Sequence, residues 1–250
     1  MYNDLFTVFG LTVHGYGLMI GLGVVASLLI SWHRARVRGL DEDMVSSLTI
    51  LVVILGFAGG KLFFLLTHWS FFTADPLAAL GSEGFVVYGG ILTGFLTAWL
   101  YVRRKKQSFL RWPDLLLPGV STAQGFGRIG CFLAGCCYGL PTDSCLGVTF
   151  PAGSFAPAGV PLWPTQLFSA VGNFMIAGFL LLLDRKQHRE GALTGWYLLL
   201  YSVGRFLIEY LRNDDRGSVG FLSASQFFSL FAAAAAAALF VLIRRKEPEV

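Results

Sequence analysis

Charge is what this sequence has least of. Of its 250 residues 14% are Asp, Glu, Lys or Arg and 55% are apolar, whereas a soluble domain carries about 25% charged residues. So few charges cannot cover a water-exposed globule, which excludes a soluble domain and indicates a polytopic membrane protein. A separable signal peptide is also missing. Met1 to Gly10 has no basic n-region, and no small-residue cleavage site follows the first apolar run, which is expected to stay as a span. Cysteine is scarce and confined: all four lie between Cys131 and Cys145, unlike the even spacing of a secreted disulfide scaffold. Their spacing matches no common zinc pattern and no histidine lies nearby, so no metal and no cofactor is expected. A redox pair, a disulfide between Cys137 and Cys145, and plain packing of Cys131 remain open readings. The formal net charge of +4 implies no nucleic-acid partner, because the cations are distributed between apolar runs.

Those runs are what the chain does have. Seven segments have the length and apolarity to cross a bilayer, about 20 residues each: 12–32, 46–67, 84–102, 114–136, 164–183, 192–211 and 223–243. The fold class expected is an all-α integral membrane protein of seven transmembrane helices, a single polytopic domain over residues 1–250. The Gly- and Pro-rich outer loop 137–162 is a candidate lid. Basic residues follow spans one (Arg34, Arg36, Arg38), three (Arg103, Arg104, Lys105, Lys106, Arg111), five (Arg185, Lys186, Arg189) and seven (Arg244, Arg245, Lys246). All fall on one side of the membrane. The positive-inside rule makes that side cytoplasmic, with the N-terminus outside and the C-terminus inside.

Five cations do not follow this pattern: Lys61, Arg128, Arg205, Arg212 and Arg216. At 1.5 Å per residue, Lys61 and Arg128 lie past the midplane of outward-running spans. Arg205 lies in the outer part of span six, with Arg212 and Arg216 beyond it. His14, Tyr16, Tyr88, Gln166, Ser223 and Gln226 fall at similar depth on the inward-running spans. One polar cavity opening toward the outer leaflet accounts for that coincidence, and intramembrane ionisable groups are functional candidates by default. Glu209 is the one acid at that depth, with Asp214 and Asp215 at the rim. Arg205, Glu209 and Arg212 share a helix face at i, i+4, i+7, so Glu209 is expected to orient an arginine. The surplus positive charge around Arg128 calls for an anion, and a phospholipid headgroup is the anion available there.

The centre of the pattern is Gly127-Arg128-Ile129-Gly130-Cys131-Phe132-Leu133-Ala134-Gly135-Cys136-Cys137-Tyr138-Gly139, an apolar run holding one arginine, three thiols and four glycines. It resembles the signature of the prolipoprotein diacylglyceryl transferase family. Tyr16-Gly17-Leu18-Met19, Gly60-Lys61-Leu62, Tyr88-Gly89-Gly90, Pro164-x-Gln166-Leu167, Arg205-Phe206-x-x-Glu209-x-x-Arg212 and Ser223-x-x-Gln226 resemble its other pieces in the same order, so the likeness covers all seven spans.

The resemblance implies a bacterial plasma-membrane enzyme with its active site toward the outer side. Such an enzyme transfers diacylglycerol from phosphatidylglycerol to the signal-peptide cysteine of an exported prolipoprotein and releases glycerol phosphate. It implies that Arg128 and Arg205 hold the donor phosphate and that Tyr16 and Gly139 serve activity. Glu209 and Arg212 would form the charged face near a side portal, and Tyr88 stands where many members carry a His-Gly-Gly histidine. Lys61, Gly89, Gly90, Gln166 and Gln226 are further candidates for substrate contact, with helix packing an equal alternative for Gly89 and Gly90. Tyr88 or His14 would take the acceptor thiol's proton. The chain departs from the family signature at Cys131, Ala134 and Cys136, where polar residues are usual, and at Lys61, which replaces an arginine. Alternative readings follow: the same lipid grip with another acceptor, or a non-catalytic lipid-binding or thiol-redox membrane protein.

Overall fold

In hydrocarbon no water is available to satisfy amides, so an apolar run closes its hydrogen bonds within itself as a helix. The structure, a computed structural model, describes residues 4–8, 11–82, 84–213 and 218–245. Among them, helices follow all seven apolar runs: α1 (Gly15–Val37), α2 (Glu42–Thr67), α5 (Val87–Arg104), α6 (Arg111–Ala134), α7 (Thr165–Asp184), α8 (Ala192–Ile208) and α9 (Ala224–Arg245). Their ends lie within five residues of the predicted bounds. Two short helices, α3 (Trp69–Ala74) and α4 (Pro76–Gly81), fill the connection after α2. Four of the helices, α1, α2, α7 and α9, are long and apolar enough to cross a membrane. They carry exposed Leu, Ile, Val and Phe side chains, such as Val25, Ile54, Val171 and Phe231, as helix faces turned to lipid do.

The fold is mostly helical rather than purely so. Three antiparallel hairpins cap it: β1 (Asp4–Val8) with β2 (Leu11–His14), β3 (Val148–Thr149) with β4 (Pro161–Leu162), and β5 (Ser218–Val219) with β6 (Leu222–Ser223). The strands β3 to β6, two residues each, are too short to leave a period-two signature in the sequence.

The chain divides into two compact units, residues 1–31 with 113–250 and residues 32–112. In the second unit α2 and α5 pack through glycines. A Cβ on Gly89 would stand 2.6 Å from Phe63 Cβ and 2.8 Å from the Gly59 carbonyl oxygen, and one on Gly90 3.0 Å from the Gly56 oxygen. Small residues at this spacing let backbones approach where lipid supplies no hydrophobic drive.

In the first unit α6 is pinned by polar bonds instead. Asp114 accepts from Gly191 N (2.7 Å), Thr194 N (2.7 Å) and Thr194 Oγ1 (2.6 Å), which caps the start of α8. Ser121 Oγ donates to the Asn173 carbonyl on α7 at 2.8 Å, and Tyr197 OH on α8 donates to Gln124 Oε1 at 2.9 Å. Gln124, which interrupts the fourth apolar run, is therefore an interhelical tie. The loop between α6 and α7 is packed rather than open: Phe150, Ala156 and Leu162 form a buried cluster against Phe132 and Tyr138.

Candidate active site

The three ties fix the register of α6 against α7 and α8, and one turn past Gln124 stands Arg128. It lines a small, half-open pocket with Ser169, Asn173, Tyr201, Arg205 and Ile208 among its walls. Arg128 is half-buried and has no hydrogen-bond or ion-pair partner among the described residues. Arg205, across the pocket, donates from Nη1 to Glu209 Oε2 and from Nη2 to Ser225 Oγ, both at 2.5 Å. Glu209 Oε2 also lies 4.0 Å from Arg212 Nε. Arg128 and Arg212 both act electrostatically on Arg205. Arg205 and Arg212 therefore share the Glu209 carboxylate, and Arg128 adds a further positive charge that no described carboxylate pairs. A half-buried guanidinium with no counter-ion is costly, and an anion between the two arginines relieves that cost.

Among the described residues of the same unit three buried side-chain atoms lack hydrogen-bond partners, Ser31 Oγ and two amide oxygens. Asn173 donates from Nδ2 to the Ser169 carbonyl (2.8 Å) while its buried Oδ1 has no hydrogen bond. Gln166 donates from Nε2 to the Cys136 carbonyl (2.8 Å), and its Oε1 is likewise unpaired. A buried acceptor without a donor costs about 1–3 kcal/mol, so the Asn173 oxygen, on a residue of the pocket wall, suits a hydroxyl donor on a ligand.

The other sequence candidates divide by what they touch. Tyr16, 41% exposed on α1, sits against Gly130 and within electrostatic reach of Arg128 and the three thiols of the signature. Gly139 is a close-approach residue. Its N–H donates to the Trp163 carbonyl (3.0 Å) and it bridges Arg212, and a Cβ there would meet Trp163 and the Leu211 carbonyl at 2.6 and 2.7 Å. It braces the segment carrying Arg212. Ser223 and Gln226 form a reciprocal capping box at the start of α9, Ser223 N to Gln226 Oε1 at 3.1 Å and Gln226 N to Ser223 Oγ at 3.2 Å. The Ser-x-x-Gln motif thus has a helix-capping explanation, and it sets Ser225 in the first turn, against Arg205.

Lys61, Gly89, Gly90 and Tyr88 belong to the second unit. Lys61 Nζ donates to Ser82 O (2.6 Å), Ser82 Oγ (3.1 Å) and Gly84 O (3.4 Å), which occupies its three protons. Tyr88 is 53% exposed in the first turn of α5. His14 Nδ1 lies 2.7 Å from Asp4 Oδ1 across the β1–β2 hairpin. Asp214, Asp215 and Arg216 lie outside the described residues.

The thiols are arranged differently from the sequence reading. No disulfide is present, and Cys145 is exposed and apart from the rest. Cys137 instead groups with Cys131 and Cys136, the three Sγ atoms lying within 4.8 Å of one another. The cause is local. Gly135 ends α6 at φ +73, and Cys136 N returns to the Cys131 carbonyl at 3.1 Å, a Schellman closure that lays Cys136 over Cys131.

Ser169, Asn173, Tyr201 and Ser225 were not among the sequence candidates. Asn173 carried a signal, as an amide in the middle of an otherwise apolar span. Tyr201 carried another, one helical turn before Arg205 and hence on its face.

A model of the family described as prolipoprotein diacylglyceryl transferase matches residues 3–242. The phosphatidylglycerol–prolipoprotein diacylglyceryl transferase 2 of Clostridium perfringens is 48% identical over 90% of this chain and 88% of its own length. The corresponding transferase of Clostridium tetani is 44% identical over 91% and 92%, and that of a Dehalococcoides mccartyi strain 33% identical over 98% and 94%.

Proposed function

The chain belongs to the prolipoprotein diacylglyceryl transferase family, and from that premise we infer both its reaction and the groups that perform it. It is a membrane-bound transferase that moves diacylglycerol from phosphatidylglycerol to a prolipoprotein. The acceptor is the thiol of the lipobox cysteine. Its sulfur attacks the glycerol carbon of the lipid; a C–S bond forms, the C–O bond breaks, and glycerol phosphate leaves with the electron pair.

Negative charge gathers on the departing phosphate. Arg128 and Arg205 stabilise it from the two sides of their shared pocket, the preorganised arrangement that gives electrostatic catalysis its size. Glu209 and Ser225 hold the Arg205 fork. Arg212 adds positive charge at the rim, and Tyr16 lies beside Arg128. The Asn173 amide oxygen accepts a hydrogen bond from a headgroup glycerol hydroxyl. The acceptor thiol reacts as thiolate, and within the unit that holds Arg128 and Arg205 the candidate for its proton is His14, which stands against Asp4. The observation that carries this reading is the half-buried Arg128, without a partner among the described residues, facing Arg205 across a pocket.

We also infer seven crossings of the bacterial plasma membrane, N-terminus outside, with the pocket toward the outer leaflet. The seven long helices and the basic clusters following α1, α5, α7 and α9 support it. The test is incubation of purified protein with labelled phosphatidylglycerol and a lipobox peptide. Label on the peptide cysteine, lost in Arg128→Ala, is the expected result. Release of glycerol phosphate without labelled peptide would mean another acceptor.

A further inference from the structure

The thiols of Cys131, Cys136 and Cys137 have no part in the reaction above, and no disulfide draws them together. Their three Sγ atoms lie within 4.8 Å of one another. A metal–sulfur bond is about 2.3 Å, so a three-coordinate metal needs its sulfurs roughly 4 Å apart, a small side-chain adjustment from this arrangement.

The backbone holds the cluster in place from outside. Cys137 occupies the left-handed region at φ +60, a conformation that costs a non-glycine residue of order 1–3 kcal/mol and persists only where its surroundings impose it. Those surroundings are α7: Thr165 Oγ1 donates to the Cys137 carbonyl (2.8 Å) and Gln166 Nε2 to the Cys136 carbonyl (2.8 Å). Both braces are almost fully buried.

We propose that Cys131, Cys136 and Cys137 form a trigonal thiolate site for a soft monovalent cation, Cu(I). Among the described residues no histidine or carboxylate joins the three sulfurs. Tetrahedral Zn(II) would lack a fourth protein ligand, whereas thiolates alone satisfy Cu(I). Each thiol gives up its proton as the metal binds, and the solvent ligands of the incoming copper leave. The metal's oxidation state does not change.

The experiment uses the full chain in detergent micelles, reduced with a phosphine. Cu(I) is supplied as its acetonitrile complex against a chromogenic Cu(I) chelator. Wild type and Cys145→Ser are expected to retain one Cu(I) per chain, and Cys136→Ser, Cys137→Ser and the triple serine variant to release it to the chelator. X-ray absorption on the wild-type complex is expected to show three sulfur neighbours at about 2.3 Å, a readout independent of whether any variant folds. The proposal is overturned if wild type retains no copper, if the triple variant retains as much, or if the neighbours are nitrogen and oxygen. It is equally overturned if glutathione disulfide removes two titratable thiols from a protein that never holds copper, which would make the cluster a disulfide pair. Transferase activity enters none of these readouts, so failure here leaves the phosphate site untouched.

Discussion

Lys61 and Arg128 are both half-buried cations on apolar helices, yet their surroundings use them in opposite ways. Lys61 has three protons and three oxygen acceptors, at Ser82 and Gly84, and it pins the chain that leads into α5. Arg128 has five N–H donors and, among the described residues, no acceptor; it faces Arg205 across a pocket. An intramembrane cation is ambiguous until its donors are counted against the acceptors around it. The count makes Lys61 a brace and leaves Arg128 the group that awaits an anion.

Substituting each residue tests that contrast. Arg128→Ala is expected to lower transfer to a lipobox peptide by about 10²–10³, the usual loss for one transition-state donor. Arg128→Lys should recover only part of it, since an ammonium cannot fork two bonds to one phosphate. Lys61→Met is expected to leave KM for phosphatidylglycerol unchanged and to lower the melting temperature instead, by the equivalent of about 1–3 kcal/mol for carbonyls left without a donor. Should Lys61→Met lower transfer per folded molecule as Arg128→Ala does, the distinction fails.

The next largest effect is at Glu209. It orients Arg205 together with Ser225, and a charged hydrogen bond is worth about 1.5–3 kcal/mol, so Glu209→Gln is expected to cost about tenfold or more in kcat/KM. Glu209→Asp should recover part, a pattern that a purely structural residue would not produce in rate without loss of folded protein. A different quantity separates the two units. Gly89→Ala forces a Cβ to 2.6 Å from Phe63 and 2.8 Å from a backbone oxygen, and overpacking of this kind costs about 1–3 kcal/mol. Its thermal unfolding should shift while turnover per folded molecule stays unchanged.

How far the sequence carried the reading follows from the range of each signal. Hydrophobic runs report on their own residues, so all seven long helices were legible to within a few positions. The arginines were legible because a charge in an apolar run is anomalous wherever it points. What Lys61 touches was not, since Ser82 and Gly84 are more than twenty residues away and one short helix pair intervenes. For Gln226 the sequence left lipid contact and bonding to its own neighbours equally open, because capping and binding use the same amide. The thiol cluster was hidden for a local reason. Comparison with zinc-ligand spacings assumes ligands on loops or one helix face, whereas the left-handed Gly135 folds Cys136 back onto the turn that carries Cys131.

The smallest expected effect belongs to the ion pair with the most regular geometry. Arg36 donates from Nε and Nη2 to the two oxygens of Glu42 at 2.9 and 2.8 Å, beyond the apolar spans, with side chains 73% and 37% exposed. The Arg205–Glu209 pair has single-bond contact but is only 11% and 9% exposed. Solvent and salt screen the first pair and not the second. The hydrogen bond from Arg36 holds the Glu42 carboxyl below its ordinary value. The folded-state value is therefore depressed, and whatever the pair contributes is present above the unfolded carboxyl's range and lost as pH falls through the folded one. Glu42→Gln is expected to melt with wild type in acid, to fall slightly below it at neutral pH in low salt, and to rejoin it in about 1 M salt, where the Debye length is about 3 Å. A neutral-pH deficit that persists in high salt would mean that bidentate geometry, rather than burial, sets the strength of ion pairs in this chain. The weight given to the half-buried arginines would then have to be reconsidered.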